Sequence, residues 1–254
     1  MKKKKLLSAD LDGTLMFRNE GRPYFKEPDK AALAAFRQAG NLVVINSGRA
    51  LAWLVPPLEG NLTWDYLIAA SGACILGQDG TLLYGQTLPF ALVQKILREH
   101  PTQVEVTFIT RDRIYALRQK KPHSLPVEPI QAVEELAGET LYGFSVHFAT
   151  PQEAEAFRES LERTDGDALE VFVNTKDVDV VKKGCSKGVA LRWLQHHLGL
   201  DADSIYAVGD AANDIDMLKA AAHPFTFHPS EDRVKACCEG CVDSVAELLA
   251  QISE

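Results

Sequence analysis

What this 254-residue sequence lacks narrows its class before any motif is considered. Its longest apolar runs are strand-sized, so no membrane-spanning helix is expected. Residues 2–5 are lysines, but only Leu6 and Leu7 follow before Ser8, too short an apolar run for a signal-peptide core. Those lysines are expected to form a solvated extension, with the cytoplasm as the default compartment. Basic charge is in deficit: 27 Lys and Arg against 35 Asp and Glu give a formal net charge of −8, which argues against a nucleic-acid surface. The five cysteines are odd in number and suggest reduced thiols rather than a disulfide framework. Cys237, Cys238 and Cys241 cluster downstream of His223 and His228, yet no second C-x-x-C pair exists, so a zinc site is not expected there. Cys185 has no evident base beside it to make it reactive. There is no internal repeat, no low-complexity segment, and no G-x-S-x-G elbow of a serine hydrolase.

Against these absences stands Asp10-Leu11-Asp12-Gly13-Thr14, which follows the apolar run Leu6-Leu7-Ser8-Ala9. The run reads as a short buried strand ending on a carboxylate. Two carboxylates one residue apart repel, and the arrangement calls for a cation or a proton-transfer task. Gly13 turns the chain, and Thr14 offers a hydroxyl suited to an anion.

The order of elements around this pentapeptide predicts an α/β fold. A polar loop to Pro28 leads to a helix from about Asp29 that stops at Gly40. Leu42-Val43-Val44-Ile45 is a buried parallel-type strand followed directly by Ser47-Gly48-Arg49. A helix reaching Pro56-Pro57 and a strand over 66–70 complete a βαβαβ order, the sign of a doubly wound parallel sheet. From about 83 to 183 the pattern changes to paired strands with interleaved helices. Strands are expected over 104–109 and 114–117 as a hairpin, then over 141–148, 169–173 and 178–181. Thr150-Pro151-Gln152-Glu153 is a capping box. Doubly wound character resumes at Ser186, which caps a helix striped by Ala190, Leu191, Leu194 and Leu198 and stopped by Gly199. A strand over 205–208 ends at Gly209-Asp210, Asn213-Asp214 opens the next helix, and a box at Ser244 to Glu247 opens the last. Residues 1–82 and 184–254 are therefore expected to build one catalytic core, with 83–183 an inserted α+β unit placed as a lid or specificity surface.

Four polar groups fall just after a predicted strand or at a helix start: Asp10-Asp12-Thr14, Ser47-Gly48-Arg49, Ser186-Lys187 and Asp210-Asn213-Asp214. Open α/β sheets bind ligands outside the carboxyl ends of their strands. Asp10 and Asp210 on neighbouring strand ends are suited to share one Mg2+, a hard cation that prefers oxygen. Ser47 and the amides after it can donate to a phosphate at a helix N-terminus. Lys187 can reach an anion with the helix dipole in support, and is favoured over Lys182 and Lys183. Asp214 either binds the metal or orients Lys187 and metal-bound water.

Taken in order, these blocks resemble the haloacid dehalogenase (HAD) superfamily of phosphatases. Its D-x-D-G-T motif is matched by residues 10–14, its strand ending in Thr or Ser by 43–47, its lysine by Lys187, and its G-D-x-x-N-D by Gly209, Asp210, Asn213 and Asp214. An inserted unit between the second and third motifs is similar to the Cof-type branch with a type IIB cap, on a Rossmann-like core. The sequence departs from the pattern at Ser47, where Thr is usual, at Ser71-Gly72-Ala73, where Asn-Gly-Ala is common, and at His228-Pro229-Ser230, in place of a Gly-Asn-Ala-like turn.

The resemblance implies a hydrolase that removes phosphate from a small phosphorylated metabolite, most often a sugar phosphate. Asp10 would be the nucleophile and form an aspartyl-phosphate. Asp12 would be the general acid and base. Mg2+ would be held by Asp10, Asp210, the Asp12 carbonyl and possible ligand Asp214, while Ser47, Lys187, Thr14, Gly48, Arg49 and Asn213 would meet the phosphate and substrate. Asp12 weighs against a dehalogenase. A phosphosugar mutase and a non-catalytic phosphometabolite-binding protein are the rival readings. In the cap, Arg111, Arg113, Arg118, His123 and Lys182 are polar candidates for substrate contact, each read more readily as a surface residue than as a ligand, and Arg49, nearest the chemistry, is the better candidate.

Overall fold

The computed structural model describes residues 3–119, 123 and 125–253. In chain order the first part forms β1 (Leu6–Ala9), β2 (Met16–Asn19), β3 (Arg22–Phe25), α1 (Glu27–Gln38), β4 (Leu42–Asn46), α2 (Leu51–Leu58), β5 (Tyr66–Ala69), β6 (Cys74–Gly77) and β7 (Leu82–Gly85). The middle holds α3 (Phe90–Glu99), β8 (Glu105–Ile109), β9 (Ile114–Leu117), β10 (Glu128–Ile130), β11 (Gly143–His147), α4 (Pro151–Asp165), β12 (Leu169–Asn174) and β13 (Asp177–Lys182). The last part is α5 (Lys187–Leu198), β14 (Ile205–Val208), α6 (Ile215–Ala220), β15 (His223–Phe227), α7 (Asp232–Lys235), β16 (Gly240–Val242) and α8 (Val245–Ser253).

These elements make an α/β structure with two main sheets. The larger has eight strands in the order β16-β15-β14-β1-β4-β5-β6-β7, parallel from β16 to β5. Its strands are apolar along their length because helices cover both faces. Leu7, Ala9, Val43 and Ile45 pack with Leu33 and Phe36 of α1, Leu54 of α2 and Leu248 of α8. Leu6, Val44, Ile205 and Ala207 face the other way, against Ala190, Leu191 and Leu194 of α5 and Met217 and Leu218 of α6. Each of the Val, Leu, Ile, Phe and Met side chains among them contributes on the order of 1.5–3 kcal/mol by leaving water.

The six-stranded sheet, β10-β9-β8-β11-β13-β12, is built from the inserted residues. Its central strands alternate apolar and polar residues except near their ends, where Ile109 and Val181 join the core of the larger sheet. Val106, Phe108, Phe144, Val146, Val178 and Val180 join Val93 and Ile96 of α3 and Ala154 and Leu161 of α4 in a separate core. The residues between them in sequence lie on the opposite face. No described helix is long and apolar enough to cross a membrane.

Several local expectations need correction. The polar loop before Pro28 contains the hairpin of β2 and β3, turned by Glu20 and Gly21 at positive φ. Helix α1 begins at Glu27, one residue before the proline, since Pro in the first turn forfeits no helical hydrogen bond. The large sheet is not wholly parallel: β6 and β7 extend it antiparallel from β5, so residues 82–85 pair with this sheet.

Candidate active site

Parallel register sets the site. Ala9 of β1 lies between Ile45 of β4 and Val208 of β14, so Asp10, Ser47 and Asp210 all emerge at one edge of the sheet. The Asp10 amide still donates to the Val208 carbonyl at 3.0 Å, which holds its Cα against β14. Lys187 opens α5, whose cap is the Ser186 hydroxyl, accepting from the Val189 amide at 3.0 Å. Asn46 ties the start of that helix to the sheet, its amide donating to the Lys187 carbonyl at 3.0 Å and to Ser8 Oγ at 3.3 Å.

The Lys187 ammonium then reaches back over the strand ends. Its Nζ lies 2.6 Å from Asp10 Oδ1 and 2.7 Å from Asp214 Oδ1. Asp214 is completely buried and spends its other oxygen on the amides of Asp210 and Ala211, both at 3.1 Å. Two glycines make this packing possible. A Cβ on Gly209 would lie 2.6 Å from Asp214 Cγ, and one on Gly13, at φ +88°, only 2.4 Å from Asp210 Oδ2.

Oxygens of Asp10, Asp210 and Asp214 lie within 4.8 Å of one another. Burial, then the Asp214 charge, pushes the Asp10 carboxyl well above its ordinary range, with Lys187 opposing. Asp210 is raised for the same two reasons. Burial pulls the Lys187 ammonium down, but the Asp10 and Asp214 carboxylates outweigh it, so the net shift is upward and the amine stays charged. The site is one cation among three carboxylates, with an excess of negative charge.

The remaining predicted residues divide. Ser47, Gly48, Arg49, Asn213 and Asp12 line a cavity of about 490 Å³ together with Asp10 and Asp210. Asp12 is outside the carboxylate group. Its half-exposed side chain is gripped by Arg49, with Nε and Nη2 each 2.6 Å from a carboxylate oxygen. Arg49 is thus engaged by Asp12 and by the Trp53 carbonyl at 3.2 Å. Ser47 does not stand at a helix N-terminus as expected. Helix α2 starts four residues later, and Ser47 Oγ accepts from the Arg49 amide at 3.2 Å in a local turn. Thr14 also differs from expectation: it is fully buried, and its hydroxyl donates to Asp210 Oδ1 at 3.2 Å rather than facing the cavity.

Among the cap candidates, His123 alone lines the cavity, bonded to Glu105 and tilted against the Trp53 ring at 5.2 Å. Arg111 donates to the Gly80 carbonyl at 3.0 Å, Arg113 faces Glu128 at 3.6 Å, Lys182 donates to Gln86 at 2.8 Å, and Arg118 sits at φ +59° outside the cavity. Ser71 falls in a left-handed run, Ala70 to Gly72, that presses β5 against α5; a Cβ on Gly72 would lie 2.1 Å from the Ser186 carbonyl oxygen. His228 is exposed, 3.9 Å from Asp243. The cysteine cluster enters no metal-ligand group among the described residues. Burial pushes Cys185 up to about 11 and Cys74 up to about 12, keeping both as thiols.

Cavity residues absent from the sequence-based set come mainly from the cap sheet: Thr107, Ser145, His147, Asp177 and Asp179. Their signal was alternation, since E-V-T-F-I, G-F-S-V-H and D-V-D-V-V each put polar residues on one face.

The chain matches the family model described as haloacid dehalogenase-like hydrolase over residues 7–248. It is 31% identical over 225 residues to an HMP-PP phosphatase of Yersinia pseudotuberculosis, covering 84% of this chain and 80% of that protein. The fold is similar to that of a HAD/COF-like hydrolase from Plasmodium vivax, with TM-score 0.85 and 21% identity over 99% of this chain and 96% of the other. It is also similar to that of a sugar phosphatase of HAD subclass IIB, with TM-score 0.80 and 20% identity over 98% and 99% of the two chains.

Proposed function

The chain belongs to the haloacid dehalogenase-like hydrolases as a Cof-type phosphatase, and we propose that it is a Mg2+-dependent phosphoric monoester hydrolase acting on small phosphorylated metabolites, sugar phosphates foremost, through an aspartyl-phosphate on Asp10. The observation that carries this reading is the buried Lys187 ammonium between Asp10 and Asp214. It holds a carboxylate ready at the mouth of the cavity and offers a cation to the anion that carboxylate would attack.

Lys187 and Ser47 hold the equatorial phosphoryl oxygens, where charge gathers during transfer. Asp10 attacks phosphorus as the bond to the leaving oxygen breaks, and Asp12 gives that oxygen its proton. Water then attacks the aspartyl-phosphate, Asp12 takes the proton of the water, and inorganic phosphate leaves with Asp10 restored. Asp12 is half-exposed and lines the cavity, so a substrate oxygen can compete with Arg49 for its carboxyl. Asp214 has both oxygens engaged, which supports a role positioning Lys187 over direct metal ligation.

The donor set fits a hard divalent cation: oxygen ligands only, convergent, with surplus negative charge that lifts two carboxyls. Asp10 and Asp210 would hold Mg2+ with the Asp12 carbonyl. There the ion supplies screening between the nucleophile and the phosphate.

The test is release of inorganic phosphate from a panel of sugar phosphates and HMP-PP, with Mg2+ and with EDTA. Release that requires Mg2+ and is lost in Asp10→Asn is expected. Release that persists in EDTA rejects the metal, and an isomerised sugar phosphate without free phosphate points to a mutase.

A further inference from the structure

The cap sheet presents a second recognition surface to the cavity, built from two rungs that cross three strands. Register places Thr107 of β8, Ser145 of β11 and Asp179 of β13 side by side. The next rung is Glu105, His147 and Asp177. Within the first, Ser145 Oγ donates to Asp179 Oδ1 at 2.5 Å. Asp179 Oδ2 points the other way, 3.8 Å from where a Cβ on Gly48 would stand, so it overhangs the loop that carries Ser47. In the second rung His147 is held on both sides, Nε2 at 2.9 Å from Thr107 Oγ1 and Nδ1 at 3.0 Å from Asp177 Oδ1. The face is therefore fixed before any ligand arrives, which lowers the ordering cost of binding.

Its acceptors outnumber its cations. Three carboxylates stand among these rungs. Asp177 is matched to His147, whose imidazole burial pulls down but Asp177 lifts further. Glu105 is matched to His123, and Asp179, pushed up by its own burial, takes the Ser145 hydroxyl. Both nearby imidazoles are thus already engaged. The two arginines at the cavity are elsewhere: Arg49 grips Asp12, and Arg18 lies exposed at the rim, donating to the Gly21 carbonyl at 3.2 Å. A second phosphate or carboxylate on the substrate would meet like charge at this face, whereas hydroxyl or amine hydrogens would meet acceptors.

We propose that Asp177 and Asp179 select a leaving group rich in hydrogen-bond donors and reject one that carries a second anion at the end that reaches the cap. The cap thus chooses phosphate esters whose far end is a polyol or an amine. The proposal rests on the phosphatase reading for the location of the phosphate, with the leaving group extending toward the cap.

Calorimetric titration tests it with Mg2+ present and the Asp10→Asn protein, which keeps the phosphate intact. The probes are a hexose 6-phosphate, the matching amino-hexose 6-phosphate and the matching hexose 1,6-bisphosphate. Both monophosphates are expected to bind on the order of tenfold more tightly than the bisphosphate. A further preference for the amine identifies a cationic leaving group, and equal binding identifies a polyol. In Asp177→Asn and in Asp179→Asn the preference over the bisphosphate should shrink to less than about threefold. KM values of the protein with Asp10 intact should follow the same order, so the comparison does not depend on any one variant folding. Equal or tighter binding of the bisphosphate overturns the proposal, as does a preference unchanged in both variants. The expected binding order in a protein that releases no phosphate supports this selectivity while rejecting hydrolysis. A reversed order in a protein that does release phosphate rejects the selectivity alone.

Discussion

Replacing Lys187 with methionine should damage stability and turnover together, and Mg2+ should repair only the first. Lys187 and Asp10 are 3% and 7% exposed, and Asp214 is not exposed at all. Lys187→Met keeps the aliphatic length but leaves two carboxylates buried without their cation. Breaking a buried pair from one side costs about 3–5 kcal/mol. In a chain of this size each kcal/mol moves the midpoint by roughly 2–4 °C, so Tm should fall by roughly 6–20 °C. Turnover of an aryl phosphate should fall at least about a hundredfold, the loss typical when one donor to a developing oxyanion is removed.

The rescue separates this reading from simple loss of packing. With Lys187 gone, the three carboxylates retain their convergence and gain net charge, so saturating Mg2+ should raise the midpoint of the variant more than that of the parent. At a hundred times its dissociation constant a ligand stabilises by about 2.7 kcal/mol. A companion variant, Lys187→Met with Asp214→Asn, removes one of the stranded charges and should be more stable than Lys187→Met alone. Thermal unfolding with and without Mg2+ reads both effects. A Lys187→Met protein that melts within about 1 °C of the parent, or is further weakened by Asp214→Asn, would refute the claim that the ammonium compensates these carboxylates.

Other perturbations separate the remaining parts. Asp12→Asn should lose at least about a hundredfold in turnover. Its melting should barely move, because the half-exposed pair with Arg49 contributes about 0–1 kcal/mol; near-normal turnover would remove Asp12 from proton transfer. Gly13→Ala forces a Cβ to within 2.4 Å of Asp210 Oδ2 at φ +88°, so a stability loss of about 1–3 kcal/mol and a higher Mg2+ requirement are expected. An unchanged Mg2+ titration would show that Asp210 does not contact the ion. In the cap, burial pushes the Asp165 carboxyl up, but hydrogen bonds from Lys95 and Thr164 outweigh it and hold it below the ordinary value. A carboxyl lowered in the folded state stabilises above its unfolded pKa of about 3.9 and loses that contribution as pH falls through the folded value. Asp165→Asn should therefore flatten the acid limb of cap stability below about pH 4, and a parallel shift at all pH values would contradict this.

The core of the site was legible because its residues mark the ends of strongly patterned elements. Asp10 and Lys187 lie 177 residues apart, yet one ends an apolar strand and the other follows a capping serine. The βαβ order sends those ends to one edge of a sheet. What sequence could not supply was how the side chains share partners there. Thr14 looked like an anion ligand and instead steadies Asp210. Arg49 looked like a substrate contact and is occupied by Asp12. Asp214 left two roles open in the sequence, and its three oxygen contacts, to Lys187, Asp210 and Ala211, could be assigned only once the turn at Gly209 was folded around it.

The cap face was hard to read for a different physical reason. Its cations attract attention as ligands for a phosphorylated substrate, but Arg111, Arg113 and Lys182 are matched to loop and edge partners away from the cavity. The face that does meet the cavity is made of alternate residues in three strands whose apolar partners, Val106 to Val180, first had to be recognised as the core side. A strand shifted by one residue would exchange these faces entirely, burying Asp177 and Asp179 and exposing Val178 and Val180. The packing of Phe108 and Phe144, with ring centroids 6.3 Å apart beneath the rungs, therefore fixes the cap register and the polarity of the surface over the site. The polarity of the face over the cavity is in that sense a consequence of the cap's hydrophobic core.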